Sequence, residues 1–131
     1  MKPLRIVGIF LIMQFMLQAQ TIDKPGETFI KANADASDKA TDHSILDFYT
    51  VDEFSIGNVI IPIHTRFSAM VRLYDGRAYL KVRSIKIGDD IYEIDWRAVG
   101  PDFKEGIPFI EEYRNFEVYE DQRLTFKAFY N

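Results

Sequence analysis

The side chains able to do chemistry in this sequence are few. Its 131 residues hold two histidines, His43 and His64, and no cysteine. A Ser–His–Asp set can be drawn from Ser44, His43 and Asp47. Adjacent residues on a strand point to opposite faces, so that set does not assemble locally. The run "NADASD", residues 33–38, spaces oxygen ligands as a calcium loop begins. It lacks the glycine at the sixth position, and Ser44 stands where the closing glutamate belongs, so a polar loop is the simpler reading. Asp89, Asp90, Glu111, Glu112, Glu120 and Asp121 occur as neighbouring acidic pairs at expected tips and surfaces. Acid–base work on a glycosidic bond needs such pairs across a cleft. No glycine-rich phosphate loop occurs. These observations imply no catalytic residue, no metal site, no cofactor and no enzyme.

His64 sits inside "IIPIHTRF", residues 60–67. Pro62 cannot donate to a ladder, so a strand through Val59 to Ile61 must end there or lie at an edge. His64 then falls in a tight corner, near left-handed geometry, where histidine is among the enriched non-glycine residues. Turn duty is the expected role of His64, because a metal would need partners beyond His43.

The elements around that corner are strands. In "RFSAMVRLYDGRAYLKVRS" Phe67, Ala69, Val71 and Leu73 alternate with Ser68, Met70, Arg72 and Tyr74, the period of a half-buried strand. Asp75-Gly76 supplies the two positive-φ residues of a type I′ turn. That turn sets Tyr74 opposite Arg77, Leu73 opposite Ala78, Val71 opposite Leu80 and Ala69 opposite Val82. A second hairpin is expected with Asp89-Asp90 as its tip, placing Ile87 opposite Tyr92, Ile85 opposite Ile94 and Lys86 opposite Glu93. Strands at 66–74, 77–87 and 91–97 form a meander. Lys81, Arg83 and Lys86 make a basic stripe on it, most simply a solvated face.

Residues 27–32 and 44–49 read as short strands, with a loop between them. Residues 99–108, with two prolines and two glycines, read as another loop, and 109–115 as a helical turn or irregular. Phe116 and Val118, then Leu124, Phe126, Ala128 and Tyr130 alternating with Arg123, Thr125, Lys127 and Phe129, read as a terminal hairpin.

Residues 1–19 have a basic start and an apolar run at 6–17 followed by Gln18-Ala19, the layout of a secretory signal peptide, with Leu17 where a small residue is preferred before the cut. The run is shorter than the roughly 20 residues a spanning helix needs. If left uncleaved it would act as an anchor. Residues 20–131 are the expected single domain. With 16 basic against 20 acidic residues the formal charge is −4, and loss of Lys2 and Arg5 takes it to −6. That charge argues against a nucleic-acid partner held through phosphates. The expected fold is all-β: a small antiparallel distorted barrel or sandwich behind the signal peptide, exported to the periplasm or the outer membrane.

Four stretches resemble the C-terminal domain of the conjugative-transposon TraM proteins, themselves similar to the periplasmic scaffold protein of type IV secretion systems (TrbI-like). Pro25, Gly26 and Thr28 match a "PAGT"-like start. Ile61, Pro62, Thr65 and Arg66 match an "IPKGT"-like corner. Ile85, Gly88, Ile91 and Tyr92 match a strand pair ending "G-N-I-Y-P", and Gly106 and Ile107 match a "D-x-x-G-x-x-G-I" segment. His64 stands where the family has a glycine, and Glu93 replaces the proline after "IY". The resemblance implies a barrel or sandwich-like assembly module of the envelope.

Its partners would be envelope proteins or itself, docked through strand edges. The candidate interface is Arg66 at the corner and Leu124, Phe126, Phe129 and Tyr130 on the terminal strand. Pro25, Gly26, Pro62, His64, Asp75, Gly76, Gly88 and Gly106 are structural turns. The aromatic content, eleven Phe and seven Tyr, also suits a periplasmic barrel holding a small apolar ligand.

Overall fold

Asp75 and Gly76 both have positive φ, 54° and 71°, the requirement of a type I′ turn. They join two strands of a computed structural model that describes residues 28–129. The strands are β1 (Thr28–Ala34), β2 (Asp38–Ala40), β3 (Ile45–Thr50), β4 (Phe54–Ile56), β5 (Val59–Ile61), β6 (Arg66–Tyr74), β7 (Arg77–Ile87), β8 (Asp90–Val99), β9 (Ile107–Pro108), β10 (Phe116–Val118) and β11 (Arg123–Ala128). Apart from one 3₁₀ turn, Glu111–Tyr113, no helix occurs among the described residues. The residues 1–19 expected as a signal peptide, and the turn residues Pro25 and Gly26, lie outside the described residues.

The wall follows the order β7–β6–β3–β1–β11–β8, every neighbour antiparallel, and β8 pairs back onto β7. This is a closed six-stranded barrel. Around the first hairpin the register is Tyr74 to Arg77, Leu73 to Ala78, Val71 to Leu80 and Met70 to Lys81, as turn chemistry requires.

The second hairpin differs from expectation. Its ladder runs Ile87 to Asp90, Lys86 to Ile91 and Ile85 to Tyr92, so the tip is Gly88-Asp89 and the register is two residues away. Gly88 takes φ 62° while Asp89 stays at negative φ, which favours glycine as the first tip residue. A shift of two keeps every side chain on its expected face. The ladder then slips by one between Val82 and Ser84. The inward set on β7 changes there, from Ala78, Leu80 and Val82 to Ile85, as a β-bulge allows.

Alternation fills the interior. Ile30, Ala32, Leu46, Phe48, Ala69, Val71, Leu80, Val82, Trp96, Ala98 and Phe126 are all essentially buried. Phe67 lies between Phe48, Phe126 and Trp96, with ring centroids at 5.8, 5.3 and 5.3 Å. Phe48 meets Phe126 edge-on at 5.3 Å. An eight-stranded barrel is just wide enough for side chains, and six strands enclose less. The expected apolar ligand therefore has its place taken by these rings.

The β4–β5 hairpin covers one end of the barrel, with Phe54 against Trp96 at 5.7 Å and Ile61 buried. The loop 100–106 folds back on the outer wall. Arg77 pins it, donating to the Glu105 and Gly106 carbonyls at 3.1 and 2.8 Å and to Asp102 at 3.1 Å. Gly106 (φ 89°) lies against Tyr79, where a Cβ would come within 2.9 Å of the ring. A short ribbon, β2 with β10, joins the stretch expected as a loop to Phe116–Val118. The expected terminal hairpin is thus replaced: β10 pairs with β2, and β11 enters the barrel wall.

Candidate interaction surface

The corner at residues 62–65 is built around Thr50, the buried polar residue of the core. Its hydroxyl donates to the Pro62 carbonyl at 2.9 Å and accepts from the Thr65 N–H at 2.9 Å. Its backbone receives the His64 N–H at 2.9 Å and donates to the Thr65 carbonyl at 3.0 Å. The Thr65 hydroxyl donates to the Pro62 carbonyl at 2.7 Å. His64 has φ 67°, and its imidazole is exposed, edge-on to Tyr49 at 5.8 Å. The corner is a hydrogen-bonded bend, and among the described residues His64 makes no ion pair.

His43, Ser44 and Asp47 do not converge. His43 Nδ1 lies 3.4 Å from Asp42, Ser44 accepts from the Thr41 N–H at 2.9 Å, and Asp47 accepts from the Ser68 hydroxyl at 2.5 Å. The calcium-like run is likewise engaged otherwise. Asn33 accepts from Arg123 at 2.8 Å, and Asp35 holds Arg66 at 2.6 Å.

The terminal strand is not an edge. β11 pairs with β1 on one side and, over Thr125–Ala128, with β8 on the other, so along that stretch both its edges are taken. Leu124 and Phe126 face the interior and are buried. Their proposed interface role is corrected by ring closure, a pairing between the two ends of the chain that no local pattern announces. Phe129 is half-buried, with the Arg97 guanidinium 4.2 Å and the Lys127 ammonium 5.4 Å from its ring centre. Tyr130 lies outside the described residues. Arg66 is exposed and paired with Asp35.

The outer wall divides by charge. On the β3–β6 side each arginine has its carboxylate: Arg66 with Asp35, and Arg72 with Asp42 at 3.0 Å. The Leu73 N–H and then Arg72, both bonded to Asp42, hold that carboxyl below its ordinary range. Tyr49 donates to Asp121 at 2.6 Å, and that bond raises the phenol's pKa.

On the β7–β8 side the register runs Met70, Lys81, Arg97, Lys127, Phe29 from strand to strand. This sets three cations side by side, an arrangement that costs stability unless neutralised. Arg97 is neutralised by a two-point bond to Asp95, at 2.9 and 2.7 Å, with Glu105 at 3.3 Å. Arg97 first, then Lys81 and Arg83 at longer range, hold Asp95 below its ordinary pKa. Lys81, Arg83 and Lys86 themselves have no carboxylate within 4.0 Å among the described residues. Beside the row, Phe103 is 70% exposed and rests edge-on against Phe29 at 6.0 Å.

The basic stripe on β7 was visible in the sequence. Its adjacency to Arg97 and Lys127 was not, because only barrel closure brings β11 to β8. The pairing of the other cations was equally hidden, since Asp35 and Asp42 reach Arg66 and Arg72 across the wall.

These features define a class: a small closed antiparallel barrel whose interior is filled by its own side chains and whose charged groups lie on the outer wall. A family model described as "Conjugative transposon, TraM" matches residues 30–124. The chain belongs to the conjugative transposon TraM family. Comparison with curated proteins and with solved structures gives no match.

Proposed function

We propose that this barrel is an assembly module of a conjugative-transfer apparatus, exported to the cell envelope and acting by holding protein partners rather than by catalysis. Membership of the TraM family over residues 30–124 carries the reading. Three features support it. The interior is occupied by Phe48, Phe67, Trp96 and Phe126. The potential nucleophile–base set at 43–47 is dispersed. Residues 1–19 have the composition of an export signal. What is left to act is the outer wall, with its exposed cations and aromatic rings. The scaffold protein of type IV secretion is the analogue for such a part.

Deleting the gene in frame from a donor carrying the element tests this. Transfer to a recipient should fall by orders of magnitude and return with the wild-type chain in trans. The protein should co-purify with other transfer proteins from the envelope fraction. Undiminished transfer from the deletion strain, or a protein confined to the cytoplasm, would contradict the proposal.

A further inference from the structure

β7 has two different edges along its length. From Arg77 to Lys81 its ladder to β6 is continuous, ending at Met70 to Lys81. From Lys81 to Ile87 its ladder is with β8. Among the described residues, the edge facing β6 has no ladder partner beyond Lys81, and no backbone hydrogen bond from elsewhere reaches residues 83–87. Across the hairpin, β8 pairs with β11 only from Trp96 onward. Residues 83–93 are thus a two-stranded arm at the end of the barrel.

Ile85, inside the arm, is buried, while Arg83, Ser84 and Lys86 are exposed. An unpaired strand edge presents N–H and C=O groups ready to take another strand. The side chains along this edge are Lys81, Arg83 and Lys86, the cations with no carboxylate within 4.0 Å among the described residues. Lysines and a bulge are also how a sheet protects an edge. Against a basic strand, or this same edge of a second copy, they do protect it by repulsion. For an acidic strand the same charges favour docking, which is how one charge pattern selects among partners.

We infer that the β7 edge at residues 82–87 takes an extended acidic segment of a partner protein as an added strand. The segment's carboxylates would lie against Lys81, Arg83 and Lys86, and its backbone would continue the β8–β7 ladder. The inference rests on the scaffold reading for the partner being a protein, and it adds which edge is used and what chemistry is recognised.

The test uses the full 131-residue chain in non-ionic detergent with three fluorescent seven-residue peptides. One alternates Val and Glu, one alternates Val and Lys, and one is the acidic peptide with a central proline. The acidic peptide should bind, weaken with salt, and slow hydrogen exchange at residues 83–87. The Lys peptide should not bind, and the proline should weaken binding because it cannot donate to a ladder. The double variant Arg83→Glu, Lys86→Glu should lose about ten-fold or more in affinity with an unchanged unfolding midpoint.

Four results would overturn the inference: no binding of the acidic peptide, equal binding of the Lys peptide, binding without exchange protection at 83–87, or preference for phosphatidylglycerol vesicles over the peptide. If the peptide fails while the chain still co-purifies with transfer proteins, the edge assignment falls and the scaffold reading stands. If both fail, both fall.

Discussion

The β3–β6 wall and the β7–β8 arm are made of the same materials and finished differently. On the wall, β3 is laddered to β1 and β6, β6 is laddered to β3 over residues 66–70 and to β7 over residues 70–74, and each arginine meets a carboxylate, Arg66 with Asp35 and Arg72 with Asp42. On the arm, among the described residues, one edge of β7 has no ladder, and Arg83 and Lys86 have no ion pair. The wall's arginines are neutralised within the chain, whereas Arg83 and Lys86 of the arm meet no carboxylate among the described residues.

The largest expected effect comes from the ring cluster that both regions share. Phe126 is fully buried between Phe48 and Phe67. Phe126→Ala should cost about 3–5 kcal/mol, read from chemical denaturation. A loss below about 1 kcal/mol would mean the barrel is not packed through that strand. Thr50→Val comes next. It deletes the hydroxyl that bridges the Pro62 carbonyl and the Thr65 N–H, and should cost about 1–3 kcal/mol. His64 sharpens the same corner. Held at φ 67°, it should tolerate glycine with less than about 1 kcal/mol of change. His64→Val should lose about 1–2 kcal/mol, since a β-branched residue resists that geometry.

Acid should act weakly and on named pairs. Asp42, Asp95 and Asp102 all have pKa values below the ordinary 3.8, held there chiefly by the Leu73 N–H, Arg97 and Arg77 respectively. A depressed folded pKa means the unfolded chain takes up the proton first. The stability these groups contribute is present above the ordinary value and is lost as pH falls through the lower folded values. An unfolding titration should be level near neutrality and decline below about pH 4. Asp95→Asn should make that decline shallower. Because the pairs are largely exposed, the change stays small.

Much of this architecture was legible where it is local. Asp75-Gly76 fixes a turn by its own φ preferences, and the alternation from Arg66 to Val82 then has one register that buries a face. At Gly88 to Asp90 two tips two residues apart bury the same side chains, so pattern could not separate them and glycine's φ did. The pairing of Leu124 to Ala128 between β1 and β8, and of Phe116–Val118 with Asp38–Ala40, joins segments far apart in the chain. A strand's sequence carries its faces but not the identity of its neighbours. For that reason Phe126 looked like a surface residue of an edge, and the crowding of Lys81, Arg97 and Lys127 was invisible.

The difference between wall and arm is tested most directly by hydrogen exchange along β7, amide by amide, in the protein without a partner. Among residues 77–81, the amides that donate to β6 should be protected to nearly the global unfolding free energy. Between residues 83 and 87, amides directed away from β8 should exchange within a few orders of magnitude of an unfolded chain, alternating with protected ones that donate to β8. Uniform strong protection from Ala78 through Ile87 would mean the second edge is already occupied, and the division between a closed wall and an open arm would be wrong.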